Sequence, residues 1–256
     1  MSHRYRRWEP LFPPATFARG PLLVLAPHPD DEVIGCGGLI LAHRDADQPV
    51  VVAVLTDGRL GDVGGRHGEG YVELRREECR RAALALGGAE TLFLDLPDGG
   101  LPQALDDGRL LQCLRGLLSL RSFATVAFPS PYELHPDHRA LGIAALLLAA
   151  ETTGPTRFLA YEIGTFMPAN VLLDVSALAA RKDRALGCYE SQMHLHDLTA
   201  KVRGVDVART ANVDDRNIQR AEAYLLVEAA RAPELLRKAD DICRITDDMM
   251  PPVPWE

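Results

Sequence analysis

The chain has 256 residues, 47% hydrophobic and 25% charged, an ordinary globular composition long enough for one large α/β domain. Its formal net charge of −8 argues against a general nucleic-acid binder, which shows a basic excess or stripe. The arginines at 4, 6 and 7 are a local cluster and read as a solvated tail.

Along the chain, apolar runs rich in Val and Leu at 22–26, 50–56, 91–94 and 125–128 alternate with segments of helical period at 32–44, 71–86 and 107–120. Such alternation predicts βαβ units with a parallel sheet, its strands buried on both faces and therefore continuously apolar. Between 58 and 70 lie glycines at 58, 61, 64, 65, 68 and 70, a density that opposes regular structure. This segment reads either as a loop over a site at the sheet edge or as an ordinary connection. Further on, the pattern predicts a helix over 137–150, strands over 158–162 and 171–175, and helices over 176–189 and 214–230. With no internal repeat and no clear linker, one domain over 1–256 is expected, its core at about 20–230 and its proline-bearing end, 249–256, either wrapped on the surface or disordered.

The five cysteines, Cys36, Cys79, Cys113, Cys188 and Cys243, are odd in number and widely spaced, without a CxxC pair. That argues against a disulfide framework and for a reducing compartment. No apolar run reaches membrane-spanning length, and the first 14 residues lack the apolar stretch of a signal peptide. A cytoplasmic protein without an integral membrane segment is expected.

Two clusters carry chemistry. Pro27-His28-Pro29-Asp30-Asp31-Glu32 follows the first apolar run, and His135-Pro136-Asp137-His138 comes shortly after the fourth. In open parallel sheets, ligands bind beyond the carboxyl ends of the strands, where both clusters belong. His28 and Asp31, three residues apart, can reach one ion, and His138 can supply a third ligand. Two imidazoles and a carboxylate, with a fourth position left for water, form a catalytic zinc pattern; these donors also admit Fe2+ or another divalent ion. Asp30, beside the ligands, is placed to act as general base. His135 can protonate a leaving amine or stabilise an oxyanion, and Asp137 can orient an imidazole. The plain alternative is that the acidic residues only cap a helix and the His-Pro pairs only form turns.

Other signals are weaker. Gly35-Cys36-Gly37-Gly38 lies past the strand end, with Ile40 where a dinucleotide loop would carry its third glycine. Cys36 reads as a small buried residue. His3, His43 and His67 read as surface residues, and His194 and His196 lack a third partner for a metal site.

Taken together, the motifs resemble those of the LmbE-like (PIG-L type) N-acetylglucosaminyl deacetylases. Softer similarities are Thr56-Asp57-Gly58, Arg75 with Glu78 ahead of Leu86-Gly87, Asp98-Gly99, Ser191-Gln192 and Ala221-Glu222-Ala223. The resemblance spans about 20–230. It implies a Rossmann-like three-layer α/β fold and zinc-dependent removal of an acetyl group from an N-acetylated amino sugar. It further implies His28, Asp31 and His138 as metal ligands, Asp30 as base, His135 facing the oxyanion or leaving amine, and Arg75 and Asp98 on sugar hydroxyls. Some relatives carry a tyrosine two residues before the first histidine of the second motif. Here Glu133 stands there, and Tyr132 is one position earlier. Arg75 and Glu78 could instead be a solvent-facing i,i+3 pair. The expected partner is a small amino-sugar substrate, and a homo-oligomer is compatible with the sequence. The rival readings are a metal-dependent amidase for a larger sugar conjugate, a phosphoesterase, and a sugar- or metal-binding module without catalysis.

Overall fold

The computed structural model describes residues 11–194 and 197–249. It is built on one eight-stranded sheet. In chain order the strands are β1 (Leu11–Phe12), β2 (Leu22–Ala26), β3 (Val50–Thr56), β4 (Glu90–Leu96), β5 (Thr125–Pro129), β6 (Arg157–Tyr161), β7 (Val171–Asp174) and β8 (Ala221–Val227). Across the sheet they stand in the order β1-β7-β8-β6-β5-β2-β3-β4, and β8 alone runs antiparallel to its neighbours.

The helices are α1 (Asp31–Asp45), α2 (Tyr71–Ala85), α3 (Leu101–Asp106), α4 (Arg109–Ser119), α5 (Pro136–Glu151), α6 (Ala179–Leu186), α7 (Glu190–Met193), α8 (Leu198–Ala208) and α9 (Ala232–Met249). Strand residues point alternately to the two faces, so β2 splits its apolar side chains between two cores. Leu22, Val24 and Ala26 pack with α1, α2, α6 and α8. Leu23 and Leu25 pack with α3, α4, α5 and α9. The mostly parallel sheet is the one the alternating pattern predicts, and the helices on its two faces make the three-layer arrangement that the family resemblance implies. Strand β4 lies at the sheet edge and is only partly buried.

Most predicted elements lie within a few residues of the observed ones. The helix expected over 214–230 is corrected: this stretch contains β8, buried between β6 and β7. Its Ala, Glu and Leu residues favour a helix locally, but pairing with two strands outweighs that preference. His43 is also corrected. It is wholly buried on α1, with Nδ1 donating to the Leu39 carbonyl at 2.9 Å. Within 58–70 only two short 3-10 turns form, Arg59–Gly61 and Gly68–Gly70. His3, His196 and the tail beyond residue 249 lie outside the described residues.

The glycines of α1 make room for packing. A Cβ on Gly35 would stand 2.1 Å from the Tyr161 ring, and one on Gly38 would stand 2.2 Å from Val175. Close helix-to-sheet contact therefore explains the run that superficially resembles a dinucleotide loop. Cys36, between them, is buried, and its thiol pKa is pushed well up by burial.

Candidate active site

Strands β2 and β5 are neighbours, so the segments leaving their carboxyl ends meet. His28 Nδ1 lies 3.2 Å from Asp31 Oδ2 and 3.2 Å from His138 Nε2, and the last two atoms are 3.3 Å apart. Ligand atoms about 2.0–2.1 Å from a tetrahedral ion stand roughly 3.3 Å from one another, so this triangle suits one zinc-sized ion. The nitrogens of His28, His135 and His138 also come within 4.8 Å of one another, but that grouping omits the carboxylate. His28 Nε2 faces Asp98 Oδ1 at 3.0 Å and Asp137 Oδ2 at 3.2 Å, a second acid-bearing group. The two carboxylates hold the proton on Nε2 and leave the Nδ1 lone pair turned into the triangle.

The electrostatics separate the two adjacent aspartates. Burial would raise Asp31, but His138 and His28 outweigh it and hold the carboxyl down to about 2. Burial raises Asp30 to about 7 against the opposing charge of Arg75. Asp30 also has an unusual backbone, with φ at 121°, a region that non-glycine residues seldom occupy. Its N–H donates to Glu32 Oε2 at 3.0 Å, and the Tyr189 hydroxyl donates to the other Glu32 oxygen. Arg75 Nη2 donates to the Pro29 carbonyl and lies 3.3 Å from Asp30 Oδ2. Glu32 and Tyr189 are thus a support that the motif reading did not single out.

His135 caps α5, its Nδ1 accepting from the Asp137 N–H at 3.2 Å. Nε2 therefore carries the proton of the neutral ring. Burial, then the charge of His28, lowers its pKa, which favours that neutral form. Asp137 is fully buried and also accepts from Gly99 N at 2.7 Å and Leu101 N at 3.0 Å, which ties the loop after β4 to the site.

His28, Asp30, Asp31, His135 and His138 line a cleft of about 480 Å3 that also includes Arg75, Asp98, Gly58 and Gln192. Arg75 is not half of a surface pair. It is buried, and Glu78 instead accepts from Ser191 N and Oγ, both at 2.7 Å. Arg75 Nε and Nη1 have no hydrogen-bond partner among the described residues. Buried, charged and unsatisfied donors beside a cleft are costly unless a ligand completes them. Asp98 borders the cleft, but Oδ1 meets His28 and Oδ2 accepts from Leu60 N at 2.9 Å.

The family described as PIG-L, GlcNAc-PI de-N-acetylase, matches residues 23–149, the stretch that contains both motifs. Diacetylchitobiose deacetylase of Thermococcus kodakarensis is 32% identical over 188 residues, 67% of this chain and 69% of that one. The chain belongs to the PIG-L (LmbE-like) family. Among solved structures, the N,N'-diacetylchitobiose deacetylase of Pyrococcus horikoshii superposes with a TM-score of 0.73 at 23% identity, covering 82% of this chain and 85% of that one. GalB, the 4-carboxy-2-hydroxymuconate hydratase of Pseudomonas putida, superposes at 0.66 with 26% identity, covering 81% and 96%.

Within this PIG-L chain, Glu133 is not part of the cleft lining. It is buried and accepts from Ile163 N at 2.8 Å and Gly164 N at 3.1 Å, joining the loops after β5 and β6. Its Oε2 lies 4.0 Å from His138 Nδ1. No described helix is long and apolar enough to cross a membrane.

Proposed function

We propose that the chain is a metal-dependent N-deacetylase, cleaving the acetamide of an N-acetylated amino sugar or glycoconjugate to acetate and a free amine. The observation that carries this reading is the meeting, in one cleft, of the His28–Asp31–His138 triangle, the carboxylate of Asp30 and the unpartnered donors of Arg75. Those three residues would hold the ion, for which zinc suits the donor set and Fe2+ is the alternative. A bound divalent ion supplies Lewis acidity to the carbonyl and to the attacking water.

Asp30 takes the proton of that water as the new C–O bond forms. The neutral His135 donates from Nε2 to the oxyanion, a role that needs no charge on the ring. When the C–N bond breaks, Asp30 returns its proton to the departing nitrogen, so the sugar leaves as an amine. Asp137 and Asp98 keep His28 in the tautomer with its lone pair inward. Arg75 donates to a sugar hydroxyl.

The deciding measurement is metal content after dialysis and zinc reconstitution, wild type beside His138→Ala, followed by acetate release from a panel of N-acetyl sugars. About one equivalent in the wild type and little in the variant, with acetate released by the wild type, supports the reading. A wild type that takes up no metal would overturn it. The likeness to GalB favours one other chemistry, the addition of water to a carbon–carbon double bond. Hydration of an unsaturated acid with no acetate from any sugar would put that reading in its place.

A further inference from the structure

Beside the cleft lies a second cavity of about 250 Å3. The two share Ile34 and Leu198 as walls, and Ile34 stands one helical turn beyond Asp30. Ile163, Val202, Val205 and Ala223 continue the lining. The buried and half-buried charges at its border are already engaged. Asp206 meets Lys182 at 3.1 Å and Arg220 at 2.7 Å. Glu222 accepts from the N–H groups of Gly38 and Leu39, and Arg209 Nε donates to Glu162 at 2.8 Å. Lys201 is exposed. Apart from Lys201, what remains toward the cavity is mostly aliphatic surface, which suits a hydrocarbon chain and offers little to sugar hydroxyls.

The order of strands decides which part of a substrate enters. Arg75 and Asp98 belong to the segments after β3 and β4, while the donor triangle, Asp30 and His135 belong to those after β2 and β5. The cavity lies past β6 and β8, across the triangle from Arg75. A sugar held at Arg75, with its amide carbonyl at the triangle, sends its acyl substituent toward β6. We infer that this cavity is an acyl-chain site and that the enzyme accepts N-acyl groups longer than acetyl. The bond broken is the same amide C–N bond, and the acid released is a short fatty acid. This inference rests on the amide-hydrolysis reading above.

Zinc-loaded protein is assayed on glucosamine carrying N-acetyl, N-butanoyl, N-hexanoyl or N-octanoyl groups by release of free amine. A parallel series keeps the N-acetyl group and lengthens an O-alkyl aglycone. The expected result is a rise in kcat/KM along the N-acyl series, up to about fourfold per methylene buried, and a flat O-alkyl series. Val205→Trp, or Val205→Asp should the larger residue not fold, removes the rise and leaves acetyl turnover as it was. Calorimetry on the Asp30→Asn protein should show the hexanoyl compound binding at least tenfold tighter than the acetyl one. Acetyl turnover with slower cleavage of every longer chain, or a gain confined to the O-alkyl series, overturns the acyl-chain site and leaves the deacetylase standing. Neither cleavage nor binding of any N-acyl sugar removes both.

Discussion

Asp30, the proposed base, is also a strained residue. A non-glycine residue at φ 121° carries a local penalty of about 1–3 kcal/mol that the surroundings must offset. The offset comes from Glu32 on its N–H, Tyr189 behind Glu32, and Arg75 on the preceding carbonyl. Asp30→Asn should therefore keep about one equivalent of metal and lose roughly 100- to 10,000-fold in kcat, the usual worth of a general base. Full turnover in that variant would take the base role from Asp30. Glu32→Gln retains the size but only one acceptor oxygen. Its kcat should fall about tenfold or more, with KM and metal content near wild type, because the geometry of Asp30 relaxes while His28 and Asp31 stay. A parallel loss of metal would mean that Glu32 supports the ligands instead. The triangle is legible because its members stand in two clusters of ligand-type residues, each just past an apolar run, although His138 lies 110 positions from His28. The support is not legible, since Tyr189, 157 positions from Glu32, stands in no motif and only the fold joins the two.

At the level of elements, α1 carries both the site and a pH liability. Burial lowers the pKa of His43 to about 4, and its Nε2 has no partner among the described residues. In the unfolded chain the ring takes a proton near pH 6.5, while the folded protein resists it until about pH 4. Stability is therefore fully present above pH 6.5 and falls as the pH drops toward 4, by on the order of 3 kcal/mol from this group. Urea denaturation of wild type and His43→Leu at pH 7.5 and pH 5 should show the variant losing less over that interval; equal losses would clear His43 of the effect. Gly35→Ala drives a methyl group into the Tyr161 ring and should destabilise by about 1–3 kcal/mol, read as a lowered Tm. The sequence showed β2, β3, α1, α2 and α5 because burial on two faces and helical period leave strong patterns. It misled at β8 and at His43 for one shared reason. Both are set by what packs against them from distant segments, the neighbouring strands for β8 and the surrounding core for His43, and neither neighbour is written in the local pattern.

For the molecule as a whole, an ion bound only by the folded site adds to stability by mass action, about 4 kcal/mol when free metal exceeds its dissociation constant a thousandfold. Scanning calorimetry before and after chelation should show a clear fall in Tm that zinc restores and that His138→Ala no longer displays. An unchanged Tm would separate the triangle from metal binding. The placing of β8 has a consequence for how the chain comes together in time. Both motifs and the strands that carry them are complete by residue 138, within a run of consecutive parallel units. The far half of the sheet is different: β6 pairs with β8 from Phe158 to Val227, and β1 waits for β7, Leu11 against Leu172. Neither pairing can form before its later strand has been made, β8 for β6 and β7 for β1. During synthesis the cleft at the two motifs can therefore be outlined well before its apolar neighbour exists, and the nascent sheet exposes the flank of β6 until residue 227 has left the ribosome.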